Sequence, residues 1–156
     1  MFSGARSPMY GAMTTMPSLS HLISPTHERR ALQVAVAIAG LVPVLGGLLG
    51  ARFGAAMLGG GGDVGFDSHY RYLSGLLLAI GLAYWSLIPN IIRRTAPFRL
   101  LTALVVPGGL ARLLGLILHG PPPTPMLLAL AMELLVTPLL ALWQSRVALA
   151  APAGME

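Results

Sequence analysis

The chain has 156 residues, of which 55% are hydrophobic and only 10% are charged, and its mean hydropathy is +0.76. A soluble domain usually carries about 25% charged residues, so these values exclude an ordinary soluble protein and predict an integral membrane protein whose main partner is the lipid bilayer. The chain has no cysteine and a net charge of +5. Disulfides and cysteine catalysis are therefore excluded. No nucleic-acid partner is predicted, because the charge lies at the ends of apolar stretches.

Residues 1–28 are rich in Ser, Pro, Met and Gly and show no sustained apolar periodicity. Such a segment cannot bury enough apolar surface to fold, so it is predicted to be a mobile N-terminal tail. The transmembrane domain is predicted over residues 29–147. Residues 148–156 are predicted to form a short C-terminal tail.

Four apolar stretches of about 20 residues follow the tail. At about 1.5 Å per residue, a helix of that length crosses a hydrocarbon core of about 30 Å. The stretches must be helical, because lipid cannot satisfy exposed backbone polar groups. They run from Ala31 to about Gly50, with an extension that could reach Leu58, from about Arg71 to Ile92, from Arg99 to His119, and from Pro125 to about Ser145.

The connections between these stretches are short, which makes sequential helices antiparallel neighbours. The sequence therefore predicts an all-α fold, a four-helix transmembrane bundle with up-down-up-down order. Asp67 or Ser68 is predicted to cap the second helix. Pro43, Pro107 and Pro138 lie inside the stretches and are predicted to kink them.

The arginines indicate how the bundle is oriented, because cytoplasmic ends of membrane helices carry an excess of positive charge. The end that holds both termini has seven arginines and two glutamates. The opposite half has three arginines and three acidic residues, so it is neutral. This asymmetry predicts an N-in, C-in protein of the cell inner (plasma) membrane.

Two opposite charges fall at the same depth in the third and fourth helices. Arg112 and Glu133 each lie about eight residues, or roughly 12 Å of helix, from the outer ends of their helices. A lone arginine at mid-membrane costs about 2.5–3.5 kcal/mol, and a carboxylate partner offsets part of that cost. Arg112 is therefore predicted to pair with Glu133.

Polar residues form stripes on three helices, and we expect these stripes to converge on the bundle interior near its outer end. The stripe on the third helix contains Gly108, Arg112, Gly115 and His119, and the two glycines would let a neighbouring helix approach. Glu133, Thr137 and Gln144 form a stripe on the fourth helix. The candidate ligand-binding residues are Asp67, His69, Arg71, Ser74, Arg112, His119 and Glu133.

Several other patterns indicate helix packing rather than a catalytic or metal site. The run "DSH" at 67–69 is not a catalytic triad, because consecutive helical residues point about 100° apart. No spacing of His, Asp or Glu resembles a zinc signature, so neither a metal nor a cofactor is predicted. Gly46, Gly50 and Gly54 repeat every four residues and are predicted to form a helix-packing face. Trp143, Tyr70 and Tyr72 lie near the span ends, as interfacial anchors do, whereas Trp85 lies deeper and is expected to pack inside.

The segments "DSHYRYLSGLLLAIGL", "GGLARLL" and "ELLVTPLLALWQ" resemble, in order and spacing, the bacterial membrane family called domain of unknown function 4345. The resemblance covers roughly residues 30–147. It implies a four-helix membrane protein and assigns no activity, so no catalytic residue is carried over.

Three functions are compatible with the sequence. The favoured one is a structural or accessory membrane component without catalysis, in which Arg112 and Glu133 fix helix register. The alternative is a module that binds or transports a lipid or another small molecule in an outward-facing polar pocket around these residues. A third is an intramembrane enzyme that uses Asp67, His69 and Glu133. A homo-oligomer or a membrane partner protein would fit any of them.

Overall fold

A computed structural model describes residues 25–59 and 62–151. These residues form α-helices with short 3₁₀ turns after the first two, so the all-α prediction is confirmed. A π-helical segment, Met132–Val136, joins the fourth helix to the fifth without a break. The helices are α1 (Pro25–Phe53), α2 (Val64–Leu87), α3 (Thr95–His119), α4 (Thr124–Ala131) and α5 (Thr137–Ala150).

Four helical stretches of this structure are long and apolar enough to cross a membrane, as the sequence predicted. They are Thr26–Leu58, Val64–Asn90, Thr95–His119 and Thr124–Ala150. Each of them begins before its predicted first residue, and the last also runs past its predicted end. Helix α1 includes residues 25–28 of the segment predicted as a tail, while residues 1–24 lie outside the described residues. Helix α5 reaches Ala150, inside the predicted C-terminal tail.

The predicted start of the second helix is wrong. Helix α2 begins at Val64, and its N-cap is Asp63 rather than Asp67 or Ser68. The Asp63 carboxylate accepts hydrogen bonds from the N–H groups of Gly65 (2.8 Å) and Phe66 (3.1 Å), which have no partner within the helix. The first two turns of α2 mix Val64 and Phe66 with polar residues, so the continuous apolar pattern begins later than the helix itself.

The helices pack as two antiparallel hairpins. In the first hairpin, the start of α1 meets the end of α2, where Arg29 Nη2 donates to the Pro89 carbonyl at 3.1 Å. In the second hairpin, the start of α3 meets the end of α5, where Arg99 Nη2 donates to Ser145 Oγ at 3.1 Å. Most of the close helix–helix packing lies between α1 and α2.

Glycines allow α1 and α2 to approach closely, but they are only partly the predicted ones. A Cβ atom at Gly47 would overlap the backbone of Leu78, and one at Gly50 would overlap Ser74. A Cβ atom at Gly46 would make only ordinary contact with Leu77, at 3.8 Å. The prediction for Gly46 is therefore wrong, because the buried face of α1 contains Gly47 and not Gly46.

Among the described residues, a cluster of buried side chains joins the two hairpins at the end that holds the start of α1. It contains Leu32, Val36, Tyr84, Leu87, Ile91, Phe98 and Val147. Few residues of the second hairpin are fully buried: the share is 6% in the most apolar part of α3 and zero in that of the fourth span. Large apolar side chains such as Leu104, Ile117 and Leu128 are exposed. Such exposed apolar faces suit helices that are surrounded by lipid.

Candidate functional site

Arg112 and Glu133 form a bidentate ion pair between α3 and the π-helical segment. Arg112 Nε donates to Glu133 Oε2 at 3.0 Å, and Arg112 Nη2 donates to Glu133 Oε1 at 3.2 Å. The Glu133 side chain is 16% exposed and the Arg112 side chain 35% exposed. The predicted pairing is confirmed, and its parallel geometry is the strong form of an arginine–carboxylate contact.

The π-helical segment that carries Glu133 is explained by the residues that follow it. The Thr137 N–H bonds to the Met132 carbonyl, five residues back, and Thr137 Oγ1 donates to the same carbonyl at 2.8 Å. Pro138 has no N–H to offer. The Glu133 carbonyl is therefore left without either an α-helical or a π-helical donor. Such π-bulges inside α-helices frequently occur at functional sites.

Helix α3 and the π-helical segment come close together at Gly109, beside the ion pair, and not at the predicted glycines. Gly109 is buried, and a Cβ atom there would lie 2.7 Å from Leu134 Cδ2 and 2.9 Å from Glu133 Cβ. A Cβ atom at Gly108 or Gly115 would meet nothing within 4 Å. The prediction that Gly108 and Gly115 admit the neighbouring helix is therefore wrong. Gly109, three residues before Arg112, is on the contacting face.

Asp67 and Arg71 form a second ion pair, at the end of the first hairpin where α1 ends and α2 begins. Arg71 Nε donates to Asp67 Oδ2 at 2.7 Å, and Arg71 Nη1 donates to the carbonyls of Ala51 (2.8 Å) and Arg52 (3.0 Å). Asp67 Oδ1 accepts the N–H of Ala55 at 2.8 Å. These bonds satisfy backbone groups that the end of α1 leaves without partners, so the pair holds that end against α2.

Gly54 makes room for this second pair. Its φ of +64° is unfavourable for other residues, and a Cβ atom there would overlap Asp67 Oδ1. Ser74 also serves the α1–α2 contact, because it is buried against Gly50 and donates to the Tyr70 carbonyl at 2.7 Å. In the described part of the chain, the exposed His69 and His119 form no hydrogen bond or ion pair.

The candidate residues therefore divide into two groups rather than converging on one interior site. Asp67, Arg71 and Ser74 turn towards α1, whereas Arg112 and Glu133 face each other within the second hairpin. Across the described ranges, no hydrogen bond or ion pair links the two groups, and no three His, Asp or Glu residues come close enough to hold a metal ion. The predicted convergence is wrong, because each group forms its hydrogen bonds within its own hairpin.

The fourth-helix stripe is also divided. Gln144 is fully buried near the opposite end of the bundle, where its Nε2 donates to the Ile91 carbonyl at 2.7 Å and to Thr95 Oγ1 at 2.9 Å. It fixes the α2–α3 connection to α5. The deeper tryptophan, Trp85, packs against Gly40 and donates its Nε1 to the Ala37 carbonyl at 3.1 Å, as expected of a residue packed inside.

Replacing Gly109 by valine should weaken the ion pair. The added side chain would push α3 away from Leu134 and Glu133, and overpacking of this kind costs about 1–3 kcal/mol. We expect a lower thermal unfolding temperature in detergent micelles for Gly109→Val than for Gly108→Val. The second variant carries the same change into open space one residue away, so equal temperatures would contradict the close approach at Gly109.

The family model described as a domain of unknown function (DUF4345) matches residues 31–144. This range runs from the first turns of α1 to Gln144 and includes both ion pairs. No curated protein and no solved structure matches the chain. The resemblance seen in the sequence is confirmed: the chain belongs to the DUF4345 family of domains of unknown function.

Proposed function

We propose that the protein is a structural or accessory membrane component without catalysis, in which the Arg112–Glu133 pair fixes the register of the second hairpin. The bidentate geometry between two neighbouring antiparallel helices is the observation that supports this role. Each charge satisfies the other at a depth where water is scarce. Polar pairs in such positions are best known for selecting one register among several.

The proposal includes an orientation of the protein in the membrane. Among the described residues, six arginines and one glutamate lie at the end of the bundle where α1 starts: Arg29, Arg30, Arg93, Arg94, Arg99, Arg146 and Glu28. The other half carries three arginines and three acidic residues. The positive-inside tendency then favours an N-in, C-in protein of the plasma membrane. We call the end with the six arginines the arginine end.

The sparse coverage of the second hairpin supports an accessory role. In the most apolar stretch of α3, 6% of the residues are fully buried within the chain. In that of the fourth span, no residue is fully buried. A second copy of the protein or a membrane partner could cover the remaining face without exposing any polar backbone. A component that acts through helix–helix contacts in the bilayer would present such a face.

A second candidate function is the binding of a lipid or another small amphiphile at the same ion pair. Arg112 uses two of its five N–H donors on Glu133 and is 35% exposed. The Glu133 carbonyl lacks a helical donor beside it. Spare donors and a spare acceptor within one membrane-embedded site would suit a polar headgroup that carries both kinds of group. The pocket would be smaller than predicted, since Asp67 and Arg71 are committed to α1.

Removing one charge should destabilise the protein more than removing both. Arg112→Leu or Glu133→Leu leaves the remaining charge unpaired, which typically costs about 3–5 kcal/mol. The double variant should recover most of that loss, because an apolar pair suits the surroundings. Thermal unfolding in detergent micelles measures all three, with Arg52→Leu as a control for loss of an exposed arginine. Additive losses in the double variant would show that the two side chains do not couple.

The same double variant separates the two candidate functions. If the pair is structural, native mass spectra of the wild-type protein and of the folded double variant should show the same set of retained small molecules. A molecule that co-purifies with the wild type and is missing from the double variant would favour the binding function instead.

Orientation can be tested with single cysteines, because the natural chain has none. Cysteines at Gly62 and Pro122 should react with a membrane-impermeant thiol reagent in intact cells. Cysteines at Ala96 and Ala151 should react only after the membrane is permeabilised. The reverse pattern would show that the arginine end faces outwards.

A further inference from the structure

A cavity of about 310 Å³ lies at the arginine end, where α1 begins. Its lining residues are Thr26, Arg29, Arg30 and Gln33. No residue of either ion pair lines this cavity. Two guanidinium groups, a hydroxyl and an amide give it hydrogen-bond donors suited to an anion with several oxygen atoms.

Two of the lining side chains are held in place by the end of α2. Arg29 Nη2 donates to the Pro89 carbonyl at 3.1 Å, and Gln33 Nε2 donates to the Ile88 carbonyl at 2.8 Å. Each leaves further N–H donors available, since arginine has five and glutamine two. Arg30 is exposed and makes no hydrogen bond or ion pair with the described part of the chain. The cavity thus combines fixed donors with one uncommitted positive charge.

The surroundings of the cavity are strongly positive. The chain segment that follows Pro89 brings Arg93 and Arg94 to the same end. Glu28 is the one described acidic residue there, and its Oε1 accepts a hydrogen bond from Trp143 Nε1 at 3.3 Å. A tryptophan in this position is typical of the boundary between headgroups and hydrocarbon. The cavity therefore lies at the depth of lipid headgroups.

An apolar track leads from the cavity along α1 towards the middle of the membrane. Val34 and Ile38, four and eight residues after Arg30, share its face of the helix and are 57% and 61% exposed. Leu41 and Leu45 continue the track, with 42% and 51% exposure. A free anion would need only the donors, whereas a lipid would use both the donors and this track.

We propose that this cavity binds the headgroup of an anionic phospholipid, with its phosphate on Arg29 and Arg30 and its acyl chains along the exposed face of α1. Basic pockets at helix ends are suited to such headgroups, and each arginine near a membrane surface contributes about 1 kcal/mol to the attraction. The site uses no residue of either ion pair, so it can exist whichever function the Arg112–Glu133 pair serves.

Native mass spectrometry of the full chain in an uncharged detergent tests this site. The probes are dioleoylphosphatidylglycerol and the zwitterionic dioleoylphosphatidylcholine. Wild-type protein should retain phosphatidylglycerol in preference to phosphatidylcholine. Arg30→Gln should reduce its affinity for phosphatidylglycerol about fivefold, and Arg29→Gln with Arg30→Gln about 25-fold. The single variant guards against misfolding, since the Arg30 side chain has no hydrogen-bond or ion-pair partner among the described residues.

Two matched controls make the result specific to the cavity. Arg146→Gln removes the same charge at the arginine end but outside the cavity lining, and Arg52→Gln removes it at the opposite end. Both should change the affinity less than twofold. Equal losses for Arg30→Gln and either control, unchanged binding by Arg30→Gln, or equal retention of the two lipids would overturn the proposal. Displacement of phosphatidylglycerol by inorganic phosphate would identify a free-anion site and would also overturn it.

Discussion

A charged pair placed within an apolar helix bundle constrains everything around it. A guanidinium in hydrocarbon costs several kcal/mol unless an acceptor meets it with good geometry. In this chain the acceptor is Glu133, with N–O distances of 3.0 and 3.2 Å to Arg112. Those distances require that α3 and the fourth span lie close together in one register, and Gly109 permits the approach. The contact therefore links α3 to the fourth span at one relative position.

The two hairpins are stabilised in different ways. The first relies on glycines that bring α1 and α2 together and on Asp67 and Arg71, which satisfy the end of α1. The second has few fully buried residues in its most apolar stretches and contains the Arg112–Glu133 ion pair. The hairpins join through one apolar cluster and the buried Gln144 near the arginine end. Away from that end, large apolar side chains of α3 and the fourth span, such as Ile117 and Leu128, are exposed.

The sequence was informative where a simple rule applies. Apolar length predicted the four spans, and equal distance from the helix ends predicted that Arg112 meets Glu133. Prediction from the sequence failed where a shift of one residue decides which face of a helix makes the contact. A stripe drawn with regular spacing selected Gly46 and Gly108, whereas the contacting glycines are their neighbours Gly47 and Gly109. The π-helical segment was also missed, although Thr137 followed by Pro138 is a visible signal for a disturbed hydrogen-bond ladder.

The most direct test of the account is a distance measurement between the two charged groups in a lipid bilayer. Solid-state NMR can detect dipolar coupling between ¹⁵N in arginine side chains and ¹³C in glutamate carboxyl groups. The chain has three glutamates, and Glu133 is the one that contacts an arginine within the described residues. We expect a coupling in the wild-type protein whose Arg112–Glu133 component is lost both in Glu133→Gln and in Arg112→Leu. Absence of coupling in the wild type, or a coupling that neither variant reduces, would contradict the pair.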